Sequence, residues 1–399
     1  GQAAGANLDG AVGAIGVNVN PRVLFVNRMA SMERGGGETF DLEIARHLQM
    51  QGCSVSFLTG IPLLGGPRRK DLFSGFNSPV PGFHIRTPYF GWFPWDKVKG
   101  GWRLRVADLE MFERAAARWV LGRAHDYDVI QICELPNLVA WLKDAGCPVP
   151  LVMRVTAPNV YDPRGGMKRA DAMIASGTSV EKLRAGDRPD CVEVPNGVDT
   201  DVFRPRASSF RIEKALAREA LLLLYVARFQ AFKNHELLLR AFARVKEALP
   251  DAVLVLAGSG PLENRMKALA GELGLGDRVR FLGEVPFGRL PEVYAAADIK
   301  VISSDYESFC FAAIEAMASG LPIVTTDCGW VPKLVADGAG VVVPVGDAEA
   351  FAAGLKKLAD NPALRQRMGA TGRQQVLERH TWPVSAEKLL ALYLKLAKC

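Results

Sequence analysis

The sequence predicts an α/β protein made of two Rossmann-like domains, each a parallel sheet covered by helices, facing a central cleft. Three observations predict it. Apolar runs of strand length alternate with helix-like segments from Arg22 onward, the pattern of parallel sheets with helical crossovers. The alternation runs twice, on either side of a stretch at 191–206 that carries Pro195, Asp199, Asp201 and Pro205. And 399 residues exceed what one compact core usually organises but suit two domains. Domains are therefore expected at 21–190 and 207–380, joined by a linker at 191–206, with a last helix at 381–399 crossing back to the first domain.

The elements follow in order. Arg22–Asn27 (RVLFVN) reads as a buried strand, Gly35–Gly37 as a loop, about Thr39 to Gln51 as a helix and Ser54–Thr59 as a strand. Val129–Cys133, Leu151–Val155 and Ala172–Ala175 are further strands of the same apolar kind. The second half has strands at Leu222–Ala227, Val253–Ala257, Val279–Leu282, Ile299–Ser303 and Ile323–Thr325. Helices are expected between them at Asn234–Leu249, Leu262–Leu273, Leu290–Ala296 and Cys310–Ser319. Trp382–Lys398 is an amphipathic helix with Leu389, Leu390, Leu392, Tyr393 and Leu396 available for packing.

Composition narrows the class. Hydrophobic residues are 49% and charged residues 23% of the chain, ordinary globular usage. No apolar run reaches the roughly 20 residues of a transmembrane helix. The first twenty residues, rich in Gly, Ala and Asn, are expected to be a disordered leader without signal-peptide character. A cytoplasmic location is the expectation, peripheral at most to the inner membrane face. The seven cysteines are dispersed without a CxxC pair, which speaks against a disulfide framework and against zinc.

Charge is concentrated. Ile61–Arg123 holds eleven Lys/Arg against five Asp/Glu, an excess equal to the whole chain's +6. Within it, Tyr89–Arg105 (YFGWFPWDKVKGGWRLR) interleaves aromatics with cations. Such a segment suits an anionic or saccharide acceptor, a lipid-linked acceptor at a membrane surface, or simply a solvated face. No nucleic-acid recognition module is present, so nucleic acid is not an expected partner.

The candidate chemistry sits in strand-end loops. Glu307 precedes the helix near Phe309 and Glu315 lies inside it, about 12 Å along at the helical rise. A ligand diphosphate could meet the free amides of Ser308, Phe309, Cys310 and Phe311, with carboxylates on either side accepting from hydroxyls. A capping Glu307 and a solvent-facing Glu315 are the alternative. Arg228 and Lys233 follow the strand Leu222–Ala227 and are placed to neutralise a pyrophosphate, or are ordinary surface charge. Gly258 opens a second glycine loop that lets a ligand approach backbone. Gly36 and Gly37 offer amides at a helix start in the first domain.

These residues resemble the retaining, glycogen-synthase-like group 1 glycosyltransferases, family 4 of the GT-B fold, over nearly the whole chain from Arg22. Val194–Pro–Asn–Gly–Val–Asp199 with Phe203 and Pro205 is similar to the family's linker signature. Arg228 and Lys233 match its diphosphate-gripping pair, and Glu307…Glu315 its glutamate–seven–glutamate element, in which the first glutamate contacts the donor sugar and the second the ribose. Val279–Val285 looks like the segment whose backbone near Val285 holds the nucleobase. Thr381–Trp382 resembles the start of the crossing helix. Three positions depart from the pattern: Thr156 where a histidine is usual, Cys310 where glycine is common, and Asn234 where glycine is frequent.

The resemblance implies a metal-independent hexosyltransferase with no prosthetic group. Its donor would be a nucleotide-diphosphate sugar, UDP-linked in preference to GDP-linked. Arg228, Lys233 and Glu307 would carry catalysis, and Gly36, Gly37, Gly258, Val285, Ser308–Phe311 and Glu315 would hold the donor. Asp199–Thr–Asp201 lies in the linker signature rather than after a nucleotide-binding strand, so it is not read as a metal site. The rival readings are a GT-B epimerase or phosphorylase and a non-catalytic partner subunit.

Overall fold

The computed structural model describes residues 20–32, 35–63, 69, 72–88, 98, 101–156 and 160–397. The expected leader, apart from Asn20, lies outside the described residues, as does most of Tyr89–Arg105.

Two parallel sheets form the frame. The first contains β1 (Arg22–Val26), β2 (Ser54–Pro62), β3 (Gly82–Thr87), β4 (Val129–Cys133), β5 (Leu151–Val155), β6 (Ala172–Ala175) and β7 (Val192–Glu193), in the order β3-β2-β1-β4-β5-β6-β7. The second contains β8 (Leu221–Val226), β9 (Ala252–Ala257), β10 (Val279–Gly283), β11 (Ile299–Ile302), β12 (Ile323–Thr326) and β13 (Gly340–Val343), in the order β10-β9-β8-β11-β12-β13. β4 and β5 are buried at every residue, as expected for strands covered on both faces. Each sheet changes direction once, between β1 and β4 and between β8 and β11. Crossovers there leave on opposite sides, so the carboxyl ends of those strands open a crevice.

The helix Gly36–Met50 begins earlier than expected. Its second and third residues are glycine and glutamate, and the Glu38 carboxylate turns back to accept from the Gly35 amide at 3.0 Å. The periodicity of the sequence signals neither β3 nor the helix Trp102–Leu121. β3 is an edge strand with alternating exposure, and the helix keeps Trp102, Leu104 and Met111 exposed beside its arginines.

The helix Trp382–Ala397 packs on the first domain, with Trp382, Ala386, Leu389 and Tyr393 in a core shared with Val23, Phe25 and Phe40. The Tyr393 hydroxyl donates to Gln131 Oε1 at 2.5 Å. The linker region is tied to the start of this helix, Val198 N donating to His380 O at 2.9 Å and Ser385 Oγ to Pro195 O at 2.7 Å. Among the described residues no helix is long and apolar enough to cross a membrane.

Glu113 is fully buried on the helix Trp102–Leu121 and caps the neighbouring helix Pro136–Asp144, accepting from Asn137 Nδ2 at 3.0 Å and Leu138 N at 3.3 Å. Burial raises its pKa from 4.5 to about 7, against the lowering effect of those two bonds. The folded state therefore favours the protonated acid. Its contribution is complete below pH 4.5 and is lost as pH rises through 7, a change of about 3 kcal/mol. Glu113→Gln should remove this part of the slope. Urea midpoints for both proteins at pH 4.5 and 7.5 check it, and equal slopes would refute it.

Candidate functional site

A cleft of ≈ 430 Å³ opens between the carboxyl ends of the two sheets. The first domain lines it with Gly36, Gly37, Arg154, Thr156, Ser176 and Asn196. The second lines it with Tyr225, Val226, Lys233, Ile302 and the run from Glu307 to Ala312. Arg154 and Lys233 against Glu307 leave the lining net positive, suited to an anion.

The second-domain side is built on the β8/β11 switch point. Lys233 ends a short turn after β8, and Glu307 lies in the loop after β11. Lys233 Nζ reaches Glu307 Oε1 at 2.6 Å, and the same oxygen accepts from Ser304 Oγ at 2.7 Å. Glu307 is nearly buried at 7% exposure, so the pair is shielded from most solvent screening. Behind Lys233, Asn234 adopts the left-handed conformation (φ 45°) and caps the next helix by accepting from Leu237 N at 3.1 Å. It also donates to Asp305 Oδ1 at 2.8 Å. Asparagine tolerates that conformation well, which accounts for its place where the family resemblance implies glycine. Cys310, the cap of the helix Phe311–Ala318, is also left-handed (φ 77°). A cysteine there bears a conformational cost that glycine would not.

The first-domain side is built on the β1/β4 switch point. Gly36 comes so close to the opposing domain that a Cβ there would lie 3.0 Å from the Phe311 ring. Arg154, in the apolar strand β5, donates to Gly37 O at 3.1 Å and stacks on Phe40 at 3.9 Å. It also lies 3.8 Å from Asp41, which is buried and accepts from Asn27 Nδ2 at 2.7 Å and Gln131 Nε2 at 2.9 Å. Burial raises the Asp41 pKa, opposed by Arg154 and these two donors. Thr156, at the usual histidine position, donates its amide to Glu134 Oε1 at 2.8 Å, and its hydroxyl bonds the same oxygen.

The domains touch beside the cleft. Thr178 N donates to Ser308 O at 3.0 Å, and Thr178 Oγ1 lies 2.8 Å from the Tyr306 hydroxyl. Lys333 of the second domain pairs with Glu181 of the first.

Of the expected site residues, Lys233, Glu307, Ser308, Phe309, Cys310, Phe311, Gly36 and Gly37 come together in the cleft lining. Arg228, Gly258, Val285 and Glu315 do not line it. Arg228 is exposed. Gly258 presses against the residue that follows β8, where a Cβ would sit 2.0 Å from Ala227 O. Val285 packs against the second-domain core. Glu315 accepts from the Tyr294 hydroxyl at 2.8 Å. Arg154, Ser176, Asn196 and Tyr225 also line the cleft and carry no role expected from sequence. A lone arginine inside an apolar strand was a signal available for the first of these. Among the described residues, no group of three or more His, Cys, Asp or Glu side chains is placed to hold a metal ion.

Two parallel α/β domains with strand-end loops on both walls of a cleft define a GT-B protein. Residues 208–375 match the family described as Glycosyl transferases group 1. Over 398 residues the chain is 34% identical to the D-inositol 3-phosphate glycosyltransferase of Kribbella flavida, covering 90% of this chain and 91% of that one. The chain belongs to the group 1 glycosyl transferases. Sucrose-phosphate synthase from Thermosynechococcus elongatus shares the fold at a TM-score of 0.77 and 23% identity, over 94% of this chain and 99% of that one. So does Anabaena HepE in complex with UDP and glucose, at 0.71 and 20%, over 94% and 99%.

Proposed function

We propose that this glycosyltransferase moves a hexose-type sugar from a nucleotide-diphosphate donor, UDP-linked before GDP-linked, to a saccharide, lipid-linked or small-molecule acceptor, with retention and without a metal. The observation that carries the reading is the Lys233–Glu307 pair at the start of the helix Phe311–Ala318, facing Gly36 and Gly37 across the cleft.

A diphosphate at this helix start meets free amides and the Lys233 ammonium, and the exposed Arg228 is assigned to it as a second cation. These groups stabilise the charge that grows on the leaving phosphate as the bond to the anomeric carbon breaks. In front-face displacement the acceptor oxygen bonds to that carbon from the side the phosphate leaves, and its proton passes to the departing phosphate oxygen. No protein base is needed, so Thr156 in place of histidine is compatible with turnover. Glu307 is assigned to the sugar hydroxyls and Glu315 to the ribose, with Gly258 and Val285 on the nucleobase side. The Tyr89–Arg105 segment is assigned to the acceptor, at a cytoplasmic site or the inner membrane face.

UDP is favoured because HepE, which shares the fold, was solved with it. D-inositol 3-phosphate is the acceptor to try first, because the Kribbella relative bears its name. The test is calorimetric titration with UDP, GDP and ADP in EDTA, then UDP-glucose, UDP-N-acetylglucosamine and GDP-mannose incubated with that acceptor and analysed by mass spectrometry. Micromolar binding of one nucleotide and a glycosylated product with the donor's anomeric configuration are expected. Inverted product would overturn retention, and binding seen only with added magnesium would overturn metal independence. Consumption of donor without acceptor would point to an epimerase.

A further inference from the structure

The second domain buries a lysine that the proposed mechanism does not use. Lys300 lies on β11 between β8 and β12, paired with Leu224 and Ile323. Its side chain is fully buried, and Nζ has no hydrogen-bond partner. The ammonium sits 5.4 Å from the Tyr225 ring centroid and 5.7 Å from that of Tyr294. Aromatic faces supply part of the stabilisation a buried cation needs, but far less than the loss of hydration takes away. An apolar residue would fill β11 without that cost.

Both tyrosines belong to the donor side of the cleft. The Tyr225 hydroxyl donates to Lys233 O at 2.7 Å and lies 3.0 Å from Ser304 Oγ, while that of Tyr294 donates to Glu315. Tyr225 and Cys310 line the cleft itself. Lys300 thus stands one layer behind the Lys233–Glu307 pair, beneath the start of the helix Phe311–Ala318.

We infer that Lys300 is an electrostatic positioning residue of the donor site, a buried cation that a bound diphosphate holds in its protonated form. The inference rests on the nucleotide-diphosphate reading above. With the cleft empty, burial lowers the Lys300 pKa to about 8, Cys310, Glu315 and Glu307 opposing this and Lys233 adding to it. The other displaced groups facing it titrate elsewhere. Burial, with Lys233 and Lys300, lowers His235 to about 3. Burial also pushes Cys310, Tyr225 and Tyr294 well above their ordinary values. None of these four changes charge between pH 7 and 9. A diphosphate arriving at the ends of β8 and β11 favours the ammonium over the amine, so binding above pH 8 must take up a proton.

The test is calorimetry of UDP binding in buffers of different ionisation enthalpy. Uptake of about half a proton per UDP is expected at pH 8, rising toward one at pH 9, with affinity falling up to tenfold per pH unit above 8. Lys300→Met should abolish the uptake and weaken UDP at pH 7 by fivefold or more. It should also raise Tm or leave it unchanged, because an unpaired buried charge has been removed. No uptake by the wild type, or equal uptake by the variant, overturns the role of Lys300 while leaving the donor reading intact. No binding of UDP, GDP or ADP at any pH removes that reading, and the inference with it. If the variant does not fold, the wild-type uptake and its midpoint near pH 8 decide the question.

Discussion

Lys233→Ala lowers kcat for sugar transfer by about 10²–10³-fold, the usual cost of losing one preorganised charge on a developing oxyanion, and shifts Tm little. The size of the effect follows from where Lys233 sits. Its ammonium is held 2.6 Å from Glu307 in the cleft lining at the helix start, where the leaving diphosphate is proposed to sit. The fold survives because Lys233 ends a short turn and because Glu307 keeps its bond from Ser304 Oγ. Lys233→Arg should recover only part of the rate, since a planar fork does not fit a site shaped for a point charge. Combining Lys233→Ala with Glu307→Gln should restore any lost stability without restoring turnover. Single-turnover kinetics with the donor identified by titration is the measurement, and unchanged turnover in Lys233→Ala would sink the site assignment.

Gly177→Ala should be nearly as damaging from outside the donor loop. Gly177 has φ 63° and ψ −143°, a conformation that costs a non-glycine residue about 1–3 kcal/mol. A Cβ there would also lie 2.1 Å from Ser308 O, the oxygen that accepts from Thr178 N. The added methyl group can be housed only by parting the domains or by moving Ser308, which lines the cleft. A shift of about 1 Å at a reacting centre costs roughly 10²-fold in rate. We expect kcat/KM to fall by that factor and Tm to fall as well. Thr178→Val is the informative comparison. It keeps the amide that bonds Ser308 and loses only the hydroxyl near Tyr306, so its loss should stay under about tenfold, near the net worth of one hydrogen bond. Wild-type kcat/KM in Gly177→Ala would show that this contact does not position the donor loop.

The sequence by itself determined the two sheets and most of their strands. β4, β5 and β6 lie where short apolar runs place them, because burial on both faces is written into composition residue by residue. It also determined which loops carry chemistry, since glycines, cations and carboxylates at strand ends are local features. Two of the left-handed non-glycine positions, Asn234 and Cys310, were visible as departures from glycine, though their backbone angles were not.

Tertiary structure decided what those loops meet. Lys233 and Glu307 are 74 residues apart and become partners only because β11 pairs with β8, a neighbour choice made by crossover geometry rather than by either strand's own sequence. The same pairing encloses Lys300 between Tyr225 and Tyr294 and turns an unremarked strand lysine into a buried charge. Contact between Gly177 and Ser308 depends on how the two domains close on each other. The Glu315 carboxylate, which the family resemblance directs at a ribose, accepts in the structure from the Tyr294 hydroxyl. Periodicity records that a residue is buried. The long-range order of strands determines against what it is buried, and charge, strain and reactivity depend on that second fact.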